Sequence, residues 1–191
     1  MRHVYYLPST HYFFCKFTLK NAMTFFNRLL VILLTACLLS SCSTTTVYIV
    51  RHGEKVADTD STDLSPAGKQ RALALADTLA RRGIDAVFST PYRRTRQTAQ
   101  PLADRLNLPV INYPTTAAIV SRVGEMRNKT ALVVGHSNSI LDIAKGMGTN
   151  PMKQRIESDD YDNLLVVRIR RKPFSKSVTL AEKTYGVQTA P

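Results

Sequence analysis

The sequence predicts an α/β protein with a largely parallel central sheet. Two observations carry this. Short β-branched or apolar runs alternate with segments of helical periodicity over most of residues 47–181. Clusters of arginine and histidine also stand directly behind three of those runs, where open α/β sheets bind their ligands.

The chain of 191 residues is long enough for one domain with an appendage. The appendage comes first. Residues 1–41 hold four basic residues and no acid, and Leu29–Leu39 is apolar except for Thr35. Eleven residues reach roughly 16 Å as a helix, about half a bilayer core, which is too short to span. Arg28 ahead of the run and Leu39-Ser40-Ser41-Cys42 behind it have the layout of a secretory signal, and that ending resembles a bacterial lipoprotein signal, which implies a lipidated Cys42. A signal peptide is therefore expected over 1–41, with Met23 a better-placed start than Met1. A lipidated linker is expected over 42–46, the domain over 47–183 and a frayed tail over 184–191. Ser43 rather than an acid after Cys42 resembles lipoproteins of the outer membrane, so the expected place is the cell envelope, facing the periplasm. Of the three cysteines only Cys42 survives processing, which leaves neither a disulfide framework nor thiol catalysis.

Within the domain, Val47–Val50 is a short buried-type strand. Ser65 and Pro66 open a helix as N-cap and first helical residue, with a stripe of Ala72, Leu75, Ala76 and Leu79 and a stop at Gly83. Asp85–Ser89 is a second strand. Thr90-Pro91 starts a second helix, striped by Ala99, Leu102, Ala103 and Leu106, which Pro101 should kink or break near Gln97. Strand Val110–Tyr113, helix Thr116–Met126, strand Thr130–Val134 and helix Ser139–Met147 come next. Leu164–Ile169 and Val178–Ala181 are the last strands, in the manner of a hairpin.

The net charge is +12, and residues 42–191 carry +8 of it. A basic body attracts anions: phosphorylated small molecules, anionic lipid or nucleic acid. No Gly-rich phosphate loop, zinc-ligand spacing or aromatic RNA-binding signature is present, so no nucleic-acid partner and no cofactor is expected. Arg168, Arg170, Arg171, Lys172 and Lys176 form a basic run. It reads either as the solvent face of an alternating strand or as a surface facing anionic lipid. The sequence sets no oligomeric state.

Arg51-His52 comes directly after the first strand, Arg93-Arg94-Thr95-Arg96 after the second and His136 after the fourth. If these strands are parallel, two histidines and at least two arginines share one sheet edge. Arginine forks match phosphate oxygens, which makes a phosphorylated substrate the expected ligand. Metal ligation is the rival use of histidine, but a hydrolytic metal site wants a third ligand, and fixed arginine charges repel cations. No metal is expected. Spacing alone does not separate Arg93, Arg94 and Arg96.

Three motifs in order resemble the histidine phosphatase superfamily, also called the phosphoglycerate mutase-like family. They are Arg51-His52-Gly53-Glu54 after its strand, Thr90–Ala99 with Arg94 three residues before Gln97-Thr98-Ala99, and Val133-Val134-Gly135-His136-Ser137-Asn138. Leu64–Gly68 resembles the family's first helix, and Tyr161-Asp162-Asn163-Leu164 is similar to short bacterial members. The resemblance implies a three-layer α/β/α fold and a metal-independent phosphomonoesterase. In it His52 attacks phosphorus, while Arg51, Arg94 and His136 hold the phosphoryl oxygens. Gly53 is expected to leave room for the phosphate. Asn138 either donates to a phosphate oxygen or only begins a helix.

Family phosphatases usually carry a glutamate after the third strand to protonate the leaving oxygen. Here Asn112–Ala117 holds no acid. Glu54 and Asp162 are the candidate substitutes, although Glu54 could serve only to brace its loop and Asp162 only to orient neighbours. The missing acid keeps a second reading open, a degenerate member that binds phosphorylated ligands at the envelope without turnover.

Overall fold

The computed structural model describes residues 22–35 and 42–189. The chain divides into two compact units, Met1–Cys42 and Ser43–Pro191. In the first, residues 22–35 form helix α1, with exposed side chains throughout. Among the described residues no helix is long and apolar enough to cross a membrane. The expected signal cut at Leu39–Ser41, the N-terminal stretch 1–21 and the last two residues of the expected tail lie outside the described residues; Cys42 itself is a free, exposed cysteine.

The second unit is an α/β fold on a mixed six-stranded sheet of order β3-β2-β4-β1-β5-β6. In chain order its elements are β1 (Ser43–Arg51), α2 (Pro66–Leu79), β2 (Ala86–Ser89), α3 (Arg93–Leu106), β3 (Val110–Asn112), α4 (Thr116–Glu125), β4 (Thr130–Gly135), α5 (Ile140–Gly146), β5 (Asn163–Lys172) and β6 (Ser175–Thr184). The first four strands run parallel; β5 is antiparallel to β1, and β6 to β5.

Alternation along the central strands sorts their side chains to two faces, as a period of two requires. Val47, Ile49, Ala131, Val133 and Leu165 face one way and pack with Ile119 and Val123 of α4 and Ile140 and Ile143 of α5. Val50, Leu132, Val134 and Leu164 face the other way and pack with Leu75 and Leu79 of α2 and Ala99 and Leu102 of α3. Helices therefore cover both faces, giving three layers. All buried hydrophobic residues described lie in the second unit, so its core closes without the first.

Local signals account for the helix ends. The Ser65 side chain accepts from the Gly68 amide and Pro66 fills the first turn of α2. Thr115 caps α4 in the same way, accepting from Ala118. α3 ends on Asn107 in the left-handed region, at φ 53°.

Three expectations need correction. α3 runs unbroken through Pro101. Proline removes one backbone donor there, and the buried stripe of Thr98, Ala99, Leu102 and Ala103 holds the helix together across the gap. The residues expected to form a linker, Ser43–Thr46, are instead the start of β1, paired with Arg168–Arg171 of β5 and, at Thr46, with Thr130 of β4. Strand pairing supplies what their plain Ser/Thr composition does not suggest. The tail is not frayed through Thr189. Tyr185 is buried and donates its amide to the Asp162 carbonyl, and Arg71 Nη1 donates to the carbonyls of Tyr185 and Val187.

Candidate active site

β4 lies between β1 and β2 with all three parallel, so the carboxyl ends at Arg51, Ser89 and Gly135 share one edge of the sheet. The residues just beyond each strand are thereby brought together. His52 continues β1 and donates its amide to the Gly135 carbonyl at 3.0 Å. His136 continues β4, and Arg94 stands in the first turn of the helix after β2.

The His52 ring is nearly closed off, 4 % exposed. Its Nδ1 lies 2.7 Å from the Gly53 carbonyl, which can only accept, so Nδ1 carries the proton. Nε2 therefore keeps its lone pair, and Arg94 Nε donates to it at 3.2 Å. Arg94 Nη2 reaches toward His136 Nδ1 at 3.5 Å. His136 Nε2 sits 3.0 Å from Thr90 Oγ1, which in turn bonds Thr95 Oγ1 at 2.8 Å. The two imidazoles meet edge-on, 5.4 Å between centroids, and Tyr92 stands edge-on to His136 at 5.0 Å. Both histidines are held neutral. Burial, with help from Arg51, His136 and Arg94, pushes His52 down to about 3. Burial, Arg94 and Arg51 push His136 down to about 4, while the Asp60 carboxylate pulls it back up.

Arg51 is buried beneath them. Its Nη1 donates to the Glu157 and Asp160 carbonyls at 2.7 and 3.1 Å and its Nη2 to the Ser158 carbonyl at 3.0 Å. Its guanidinium stacks 3.9 Å over the Tyr161 ring. Two of its nitrogens thus strap the segment ahead of β5, while its Nε is buried without a partner among the described residues. An unpaired buried donor costs about 1–3 kcal/mol unless something satisfies it. An incoming phosphoryl oxygen is the kind of acceptor it lacks.

The structure brings His52, Arg51, Arg94 and His136 together, with the Gly53 carbonyl on the His52 ring. Gly53 also serves a close backbone approach. Its amide donates to Thr98 Oγ1 at 2.9 Å, and a β-carbon there would stand 2.7 Å from the Gly68 carbonyl oxygen. A β-carbon on Gly68 would stand 2.2 Å from the Glu54 oxygen. The two glycines let the β1 loop and the start of α2 touch. Glu54 is engaged by Arg71, through Nε at 2.9 and 3.0 Å and Nη2 at 2.6 Å, so it braces that contact. Asp162 is buried and accepts from the Thr189 amide at 3.3 Å, which ties down the tail. Asn138 is exposed in the turn before α5. Arg93 pairs with Asp63 at 2.9 Å and pins the loop ahead of α2.

That loop contains what the sequence reading overlooked. Residues 55–64 fold back on themselves through the Lys55–Leu64 bridge and the bond from the Val56 amide to the Asp63 carbonyl. Their tip lies on Arg94, whose Nη1 donates to the Asp60 carbonyl at 3.0 Å and the Thr59 carbonyl at 3.4 Å. Asp60 is thus at the tip that meets Arg94, and its charge bears on His136. Tyr92, Thr90 and Thr95 were also overlooked, although all three sit inside the second motif. Among the described residues no group of three His, Cys, Asp or Glu side chains could hold a metal ion.

Residues 47–119 match the profile of the histidine phosphatase superfamily, branch 1. Over that stretch the chain is similar to this superfamily. It is 40% identical over 77 residues to an uncharacterized protein of Mycobacterium tuberculosis, covering 37% of this chain and 38% of that one. It is 45% identical over 49 residues to phosphoserine phosphatase 1 of Hydrogenobacter thermophilus, covering 26% and 23%. The chain thus spans little more than a third of the length of the curated relatives first matched. Among solved structures it superposes on a mycobacterial glucosyl-3-phosphoglycerate phosphatase with a TM-score of 0.53 at 15% identity, over 72% of this chain and 97% of the other. That likeness is one of fold.

Proposed function

We propose that the protein is a metal-independent phosphomonoesterase that works through a phosphohistidine on His52, at the periplasmic face of a bacterial envelope to which Cys42 is lipid-anchored. The observation that carries the chemistry is the Nδ1–H···O=C bond to Gly53, which leaves Nε2 as a neutral, unprotonated nucleophile. The Nε2 lone pair forms a bond to phosphorus as the P–O bond to the leaving group breaks. Water then attacks the same phosphorus, the P–N bond breaks, and phosphate departs. Arg94 shifts its donors from Nε2 to the phosphoryl oxygens when substrate arrives, and that shift frees the lone pair. Arg51 Nε joins these donors, and His136 adds another once the departing Arg94 frees its Nδ1 to take a proton beside the bound phosphate.

The leaving oxygen needs a proton unless it departs as a stable anion. With Glu54 held by Arg71, we assign that proton to Asp60. Asp60→Asn should slow an alkyl phosphate by about 10²-fold and an aryl phosphate little, since general acid catalysis matters only for the poor leaving group. Equal losses on both esters would remove Asp60 from the step.

The main experiment is acid-avoiding quench of turnover with labelled substrate. Phosphate should be trapped on His52 as an alkali-stable, acid-labile phosphoramidate, and activity should survive EDTA. His52→Ala should abolish both label and turnover, whereas Arg94→Ala or His136→Ala should cost about 10²–10³-fold, the scale of losing one transition-state donor. Label on serine or aspartate would refute the mechanism. That no carboxylate contacts His52 among the described residues favours the alternative reading, a phosphate-binding protein without turnover. An aryl phosphate that binds and is never hydrolysed would establish that reading.

A further inference from the structure

The rim of the sheet opposite the candidate site has a chemistry of its own. β5 and β6 are joined by a two-residue turn, Pro173-Phe174, closed by the Lys172–Ser175 pair. Tight hairpin turns ordinarily carry small polar residues. Here the tip is a phenylalanine that is 94 % exposed. It is flanked by Arg170, Arg171, Lys172 and Lys176. The next loop along this rim, ahead of β4, adds Arg127 and Lys129. The two segments touch, since Arg171 donates through Nη1 to the Met126 carbonyl at 3.4 Å and through Nη2 to the Gly124 carbonyl at the end of α4 at 2.9 Å. Local acids do not neutralise this rim. Asp85 is taken up by Lys129 at 2.8 Å, and Glu125 is the other acid nearby. Burial first, and then the neighbouring Arg127, disfavour the charge of Arg171. Positive groups crowd one another there around an exposed aromatic ring.

We propose that this rim, with Phe174 as its apolar wedge and Arg170, Lys172 and Lys176 as its basic collar, docks the domain onto the anionic surface of a lipid bilayer. Basic side chains at a membrane surface add about 1 kcal/mol each, and aromatic rings settle at the headgroup level. The orientation is set by β1. Ser43 pairs with Arg171 at the docking rim, and the strand runs nine residues to Arg51 at the candidate site. At about 3.3 Å per residue the site stands roughly 25–30 Å above the bilayer and faces away from it. The substrates such a placement suits are water-soluble phosphates, and the lipids of the anchoring leaflet are out of reach. The docking surface does not depend on lipidation of Cys42 or on the phosphohydrolase reading, because it lies on the folded unit alone.

The test uses the unit Ser43–Pro191, whose core is complete, and vesicles of phosphatidylglycerol and phosphatidylethanolamine against vesicles of pure phosphatidylcholine. Cosedimentation should occur with the anionic vesicles only and be reversed by about 0.5 M salt, a concentration at which the Debye length falls to roughly 4 Å. Lys172→Glu with Lys176→Glu should lower partitioning about tenfold or more. The chain has no tryptophan, so Phe174→Trp makes a single reporter. Its emission should shift to the blue on anionic vesicles and be quenched by brominated lipid, with aryl phosphate turnover unchanged. Equal binding to both vesicle types would overturn the proposal. So would an unshifted reporter, or tighter binding to duplex DNA that Phe174→Ala does not affect.

Discussion

At His52 the decisive question is which ring nitrogen holds the proton. The Gly53 carbonyl answers it, and burial keeps the second proton off by pushing the group down to about 3. This has a consequence for stability. In the unfolded chain both imidazoles titrate near ~6.5. Between that value and about 3 for His52, or about 4 for His136, the unfolded chain binds a proton that the native one refuses. Stability therefore falls as pH drops from ~6.5 toward those values, by at most about 1.4 kcal/mol per pH unit for each histidine. His52→Gln should flatten the loss of Tm between about pH 6 and pH 4 relative to the parent. A parent and variant with parallel Tm profiles would mean that His52 is not held neutral. Bound phosphate should raise both histidines by supplying the counter-charge they lack, so the parent should lose less stability on acidification when phosphate is present.

At the level of elements, the contact between the β1 loop and the start of α2 fixes His52 in place. Gly53 and Gly68 allow the approach, and the buried guanidinium of Arg71 clasps Glu54 across it. Gly68→Ala puts a β-carbon into backbone that cannot yield, and overpacking of this kind costs about 1–3 kcal/mol or more. Arg71→Ala leaves Glu54 without its partner and should cost about 3–5 kcal/mol, a loss that chemical denaturation would read directly. Glu54→Gln should lower stability without changing the ratio of alkyl to aryl turnover, in contrast to Asp60→Asn. A changed ratio would return Glu54 to the role of acid. The same contact shows which parts of the fold were legible beforehand. Ser65 and Pro66 announced α2 because capping is local. His52, Arg94 and His136 were legible because parallel strands deliver their ends to one edge. The pairing of Arg71 with Glu54 had a signal, an arginine on the same face as Gly68, Ala72 and Leu75, since a guanidinium on a buried stripe demands a carboxylate. Asp60 had none. Nothing periodic in residues 55–64 tells where the tip of that loop will settle, and only the reach of Arg94 decides it. Ser43–Thr46 became a strand through pairing with β5, a long-range choice that their composition conceals.

For the molecule as a whole, the excess of positive charge gathers at one rim while acids frequent the other. Asp58, Asp60 and Asp63 lie in the loop at the mouth of the site, with Asp159 and Asp160 in the segment ahead of β5. Lys55, Arg93 and Lys153 pair with Asp58, Asp63 and Asp160, so high salt should act on an anionic substrate chiefly by screening Arg51 and Arg94, slowing its approach as it loosens the basic rim from lipid. Under the lipid-anchor proposal, Cys42→Ser should leave the protein unprocessed or release it from the envelope in fractionated cells. Mature, soluble protein with an unmodified cysteine in the parent strain would refute the anchor and leave the docking rim to be judged by the vesicle experiment.

The early start of β1 has one more implication, a mechanical one. A tug applied at the amino end of the domain would enter through a strand bonded to β5 from Ser43 and on both sides, to β4 as well, from Thr46 onward. Such a load runs along the strand, so the flanking hydrogen bonds must give way together in shear and cannot be unzipped one at a time from an edge. The domain hangs by an interior strand, and the far end of that strand carries His52. Whatever grips the chain at its beginning can therefore strain hard without first peeling the sheet apart, and the imidazole stays where its neighbours hold it.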